Sequence, residues 1–253
     1  MNRTASTGAN KTFKLSVSYD GSKFYGSQIQ KDKPTVAGSL KKAAEKILKK
    51  ETKLVFASRT DRGVHARENV CAFESSTDIP ASSLKKALNS KLPKYIRVNK
   101  ITGKNNFNPR YDCESKVYRY YFRTGDFFPY ENDYCLYVPF NLNRELMNTA
   151  AKFIAGKKDF RHLSSCSSRR NTICDVKRCC LSRGKNLFFL EIEGSHFLYK
   201  MVRTFASFII NAGSGKIDPI NFKKIALGKT PHISPAPPNG LYLWKVKYNR
   251  SGK

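Results

Sequence analysis

Phe13, Leu15, Val17 and Tyr19 alternate with Lys14, Ser16 and Ser18, and this period of two predicts a half-buried strand. Behind Pro34 and Thr35 the spacing changes. Val36, Leu40, Ala43, Ala44, Ile47 and Leu48 recur at helical intervals with lysines between them, which predicts a helix with one face toward water. Short apolar runs at 54–57 and 70–74 predict two strands with a polar loop between them. Leu84, Ala87 and Leu88 behind Pro80 predict a second short helix, and 95–102 a further strand.

The second half repeats the order. Residues 117–123 form a tyrosine-rich strand, and Leu142, Leu146, Ala150, Phe153 and Ile154 a helix face capped by Asn141 or Asn143. Strands at 174–181 and 187–193 flank Arg183-Gly184-Lys185-Asn186, a hairpin signal. From 197 to 212 the apolar residues nearly encircle the chain, predicting a helix buried on most sides and stopped by Gly213. A helix over 219–227, capped by Asp218 and stopped by Gly228, and a strand over 241–248 complete the pattern. The fold class expected is α+β: two ferredoxin-like βαββαβ modules, at 1–104 and 105–253, with 103–109 read as a linker. Joining their sheets would give a mostly antiparallel central sheet and a cleft.

Composition narrows the partner. Lys and Arg number 47 against 19 Asp and Glu, a formal charge of +28 over 253 residues, spread along the whole length. An excess of that size implies a polyanion, since each phosphate neutralised releases counterions and adds affinity. No apolar run approaches the ~18 residues of a spanning helix, and residues 1–11 lack a signal peptide's hydrophobic region, so a cytoplasmic protein is expected. Seven cysteines without a C-x-x-C pair argue against a disulfide framework. Cys166, Cys174, Cys179 and Cys180 beside His162 could be read as zinc ligands, but their spacing matches no usual structural site, and free thiols are expected.

The candidate chemistry lies in VFASRTDRGVHA, residues 55–66. One carboxylate, Asp61, stands on a turn among Arg59, Arg62 and Arg67, where an ionised aspartate could serve as nucleophile or base. The bland alternative is a solvated turn with an aspartate in it. In the buried helical segment, Arg203 either snorkels to the surface or sits buried and needs a carboxylate, for which Asp61 is the candidate. Along the tyrosine strand, Tyr118 and Tyr120 should share one face and Arg119 and Tyr121 the other. An aromatic beside arginines can stack an unpaired base.

Five motifs in order then resemble the TruA family of tRNA pseudouridine synthases: YDGSKFYGSQIQ (19–30), SRTDRGVHA (58–66), KVYRYYF (116–122), FLYKMVR (197–203) and APPNGLYLWKVKY (236–248). The resemblance implies a pseudouridine synthase fold that isomerises uridine within tRNA, most often at anticodon stem-loop positions 38–40. It implies Asp61 as the catalytic aspartate, Tyr118 against the flipped base, Arg203 orienting Asp61, and Arg59 wedged into the RNA. Arg62, His65, Arg67, Arg110 and Lys200 would contact RNA as well. No metal and no organic cofactor is implied, and a homodimer is possible. Departures stand at Ser27, Arg62, Asn108-Pro109 and Ser207, where bacterial members often carry Trp, Ala, His-Ala and Gly; they lean toward the archaeal or eukaryotic branches of the family, so the bacterial target positions do not transfer automatically. The rival readings are a non-catalytic RNA-binding module or chaperone and a zinc-stabilised nucleic-acid binder.

Overall fold

The computed structural model describes residues 10–165, 171–182, 184, 186–229 and 233–249. Cys166, Arg183, Lys185 and residues 1–9, all of which entered the sequence reading, lie outside the described residues. The chain is α+β and divides into two compact units, Met1–Cys113 with Tyr248–Lys253, and Glu114–Lys247.

The first unit contains β1 (Lys11–Tyr19), α1 (Val36–Leu48), β2 (Val55–Phe56), β3 (His65–Ser75), α2 (Ala81–Lys91) and β4 (Ile96–Gly103). Its strands lie in the order β4-β1-β3-β2, and every pairing is antiparallel. The alternation in β1 does what its period requires: Phe13, Leu15, Val17 and Tyr19 are all buried. Phe13 stacks on Phe73 across the β1/β3 pair, with centroids 5.5 Å apart. Val36, Leu40, Ala43 and Ala44 of α1 and Leu84 and Leu88 of α2 supply the helical side of this core. Thr35 caps α1 by accepting from the amide of Gly38.

The polar stretch 103–109, expected as a linker, is exposed at 103–106 but anchored at its far end. Phe107 is buried and meets the Tyr248 ring edge-on at 5.1 Å, and the Tyr248 hydroxyl donates to the Pro109 carbonyl. One aromatic residue in a polar run was enough to bind it to the unit, a contact made with the far end of the chain.

The second unit holds β5 (Cys113–Arg123), β6 (Leu136–Tyr137), α3 (Arg144–Ile154), β7 (Gly156–Asp159), β8 (Ile173–Leu181), β9 (Leu187–Gly194), α4 (Met201–Gly213), α5 (Phe222–Ala226) and β10 (Leu241–Tyr248), apart from the terminal residues Cys113 and Tyr248, which belong to the first. Its main strands run β10-β5-β9-β8-β7, with β6 parallel beside β5. The β5/β9, β8/β9 and β7/β8 pairs are antiparallel. Both units therefore place their last strand beside their first. Asn143 is the cap of α3, and its own amide donates to the Gly213 carbonyl at the end of α4. Phe205 and Phe208 of α4, fully buried, meet Phe160 and Phe222 at 5.3 and 5.0 Å.

Helix α4 starts four residues later than its apolar pattern suggested. Lys200 takes a left-handed conformation (φ 61°) and forms the cap, so residues 197–200 approach the helix as a turn. Leu198, in that turn, is as buried as the helix behind it. Periodicity reports burial, and burial continues across the boundary. The edge strand β7 and the two-residue β6 escaped the sequence reading because neither carries an apolar alternation.

Candidate active site

Asp61 lies on the loop between β2 and β3, half-buried, between the exposed Arg59 and Arg62. The loop turns at Gly63 (φ 80°), where the Val64 amide donates to the Asp61 carbonyl. Its backbone is held from several sides. The Thr60 hydroxyl is 2.9 Å from the Tyr19 hydroxyl, the Ser58 carbonyl accepts from Asn69 Nδ2 at 3.0 Å, and the Thr60 amide donates to Ser27 Oγ at 2.8 Å. Tyr19, Ser27 and Asn69 are at most 5% exposed. Burial, opposed by the hydrogen bonds from Thr60 and Asn69, pushes the Tyr19 phenol up to about 12, so it stays protonated and available as a donor.

Two glycines of the YDG stretch let it approach the loop. A Cβ on Gly21 would stand 2.0 Å from the Val64 carbonyl oxygen. On Gly26, at φ +93°, it would stand 2.8 Å from the Thr60 carbonyl oxygen. The first and second sequence motifs are thus folded against each other within one unit.

The expected RNA-binding residues separate into two groups. Arg59, Arg62, Arg67 and Arg110 are exposed. The guanidinium of Arg62 lies over the Tyr25 ring at 4.3 Å, and that of Arg110 is 5.9 Å from the ring of Tyr111, itself 79% exposed. His65 is different: its ring is buried, and Nδ1 accepts from the Gly21 amide at 3.1 Å, with Asp20 Oδ1 3.3 Å away. A side chain so engaged faces protein. Lys200 is half-buried, with its ammonium 4.9 Å from the Tyr199 ring.

In the second unit, the alternation along β5 places Tyr118 and Tyr120 among the buried residues and leaves Arg119 and Tyr121 partly exposed. Tyr118 meets Phe197 edge-on at 5.3 Å. Arg119 is clamped between the Phe189 and Trp244 rings and paired with Glu191 at 2.7 Å. Arg203 is half-buried, and its position is fixed: Nε donates to the Ala236 carbonyl at 2.7 Å, while the Ala236 amide donates to the Arg203 carbonyl. The neighbouring Pro237 carbonyl accepts from the Tyr120 hydroxyl. The motifs at 116–122, 197–203 and 236–248 meet here.

Cys71, Cys113, Cys135, Cys174, Cys179 and Cys180 are free thiols. Burial pushes Cys71 up to about 12, and Cys174 Sγ lies 3.3 Å from His196 Nε2. No cluster of three metal-ligating side chains occurs among the described residues.

Sequence reasoning missed Ser27, Asn69 and the Ala236 carbonyl. Ser27 stands out in the sequence only as a departure from the family pattern, Asn69 reads as an ordinary polar residue, and a carbonyl has no sequence signature.

Known proteins resemble the chain over both units. A family model described as tRNA pseudouridine synthase matches residues 15–112 and 150–249. Proteins named tRNA pseudouridine synthase A are similar along almost the whole chain. That of Thermosipho melanesiensis is 36% identical over 243 residues, covering 94% of this chain and 100% of the relative. Those of Pseudothermotoga lettingae and a Thermoanaerobacter species are 35% and 38% identical, covering 94% and 92% of this chain and 100% and 97% of theirs. With Asp61 on a braced turn in one matched segment and Tyr118 and Arg203 in the strand and helix that the other motifs build, the chain belongs to the TruA family of tRNA pseudouridine synthases.

Proposed function

We propose that Asp61 is the catalytic carboxylate of a tRNA pseudouridine synthase that isomerises uridine to pseudouridine in the anticodon stem-loop. The observation that carries this reading is a half-buried carboxylate on a turn whose neighbouring peptide groups are tied to buried side chains, flanked by exposed arginines, in a chain of this family. In the reaction the N1 glycosidic bond breaks, the uracil turns, and C5 joins C1′. Asp61 starts it either by attacking C1′ or by removing a ribose proton to give a glycal. The remaining residues divide the other tasks. Arg203 orients Asp61, the role that the resemblance of residues 197–203 gives it, and its own place is fixed by the Ala236 carbonyl. Tyr118 lies against the everted base, Arg59 helps evert it, and Arg62, Arg67, Arg110 and Lys200 hold phosphates.

Everting a base costs a few kcal/mol, which phosphate contacts and contact with the tyrosine offset. The shared strand order supports reading each unit as a ferredoxin-like module. The chemistry asks for no metal or organic cofactor. A cytoplasmic homodimer is the working state in this reading. No helix among the described residues is long and apolar enough to cross a membrane, and the second unit exposes Tyr134 and Leu187 around a cavity of about 280 Å³ that Tyr121, Tyr242 and Trp244 help line.

The test is Asp61→Asn. Pseudouridine formation should be abolished with tRNA affinity kept within a few fold, because the change removes the reacting oxygen but few phosphate contacts. Turnover near that of the unaltered protein would refute the assignment. Mapping pseudouridine at nucleotide resolution in RNA from cells with and without the gene identifies the positions modified.

A further inference from the structure

Ser27 grips the chain one residue before Asp61. Its amide donates to the Thr60 carbonyl at 3.0 Å, and its hydroxyl oxygen accepts from the Thr60 amide at 2.8 Å. The peptide groups on both sides of Thr60 are thereby held by one residue, which sets the direction in which the backbone enters Asp61. Ser27 is itself fixed. It is 1% exposed, its carbonyl accepts from the Ala37 amide, and the carbonyl of Gly26 accepts from the Val36 amide, both in the first turn of α1. The Thr60 side chain is held separately by the Tyr19 hydroxyl, and Asn69 Nδ2 reaches both that hydroxyl at 3.1 Å and the Ser58 carbonyl.

We propose that Ser27, supported by Tyr19, is a positioning residue for Asp61, transmitting the rigidity of the α1 N-terminus to the aspartate through the two peptide groups of Thr60. This rests on Asp61 being the catalytic carboxylate. The physical ground is geometric. A carboxylate that must meet one ribose atom is useful only if its backbone is held to a fraction of an ångström, and a buried amide that loses its acceptor moves to find another.

The experiment compares Ser27→Ala, Tyr19→Phe, Asp61→Asn and Leu84→Ala, the last a core change in α2 with no part in the loop. Each is assayed for single-turnover pseudouridine formation and for KM toward tRNA at a temperature where it is folded. Ser27→Ala is expected to lower the rate about tenfold or more, the scale on which small misplacements act, with KM within about twofold. Tyr19→Phe, which keeps the ring, should act in the same direction. The Thr60 amide should exchange with solvent faster in Ser27→Ala, and Leu84→Ala should lose thermal stability without losing rate. A rate within twofold of the unaltered protein in either folded loop variant overturns the inference while an inactive Asp61→Asn preserves the catalytic reading. A proportional loss of rate in Leu84→Ala also overturns it, since general destabilisation would then explain the effect. Turnover by Asp61→Asn overturns both.

Discussion

Ser58 and Thr60 each give a backbone group to a buried partner outside their loop, and Asp61 inherits a fixed direction from them. Arg203 receives the same treatment from Ala236, through one side-chain and one backbone hydrogen bond. Arg203→Ala should therefore do two things. Under the orienting role proposed for Arg203, pseudouridine formation should fall sharply. Stability in urea should fall by about 1 to 3 kcal/mol, since the Ala236 carbonyl loses a charged donor. Full activity in that variant would remove Arg203 from the site.

A second residue-scale expectation concerns pH. Burial alone would raise the Glu193 carboxyl, but hydrogen bonds from Lys247 and Ser115 outweigh it and hold the group below the ordinary glutamate range. A depressed folded-state pKa stabilises above the unfolded value, and that contribution is lost as pH falls through the folded value. Glu193→Gln should thus be less stable than the unaltered protein at neutral pH. The difference should shrink as the medium is acidified below the ordinary glutamate range, as urea melts across pH will show.

At the scale of elements, the packing of α3 on α4 turns on Gly213. A Cβ there would stand 2.6 Å from Cγ of Met147, a fully buried side chain that has little room to move. Gly213→Ala is expected to lower stability by about 1 to 3 kcal/mol through overpacking. Thermal denaturation measures this, and an unchanged midpoint would show that Met147 repacks freely. The same scale shows where sequence patterns lose resolution. Strand β1 was legible because one of its faces is buried and the other is half-exposed. Strand β3 begins at His65, five residues before its apolar run, because the preceding positions include Arg67 and Asn69. A polar residue can pair its backbone as well as an apolar one, and pairing is invisible to hydropathy.

For the whole molecule, the charge of +28 sets the expectation. Affinity for tRNA should fall steeply and linearly on logarithmic axes with salt, because several phosphate contacts each release counterions. Filter binding over a salt series checks it, and a flat response would rule out phosphate contacts as the main source of affinity. The exposed Arg59, Arg62, Arg67 and Arg110 suit that role.

What the sequence determined by itself is the order of the main strands and helices, with β6 and β7 left out, the α+β class, and Asp61 with its arginines on a turn. These follow from local periodicity and from residue types that sit next to one another in the chain. Only the tertiary structure decided that His65 is buried against Gly21, that Phe107 ties the supposed linker into the first unit, and that Ser27 and Asn69 hold the Asp61 loop. Each of these depends on hydrogen bonds or ring contacts between residues 11 to 141 positions apart. A backbone amide or carbonyl carries no mark in the sequence of the partner it will find.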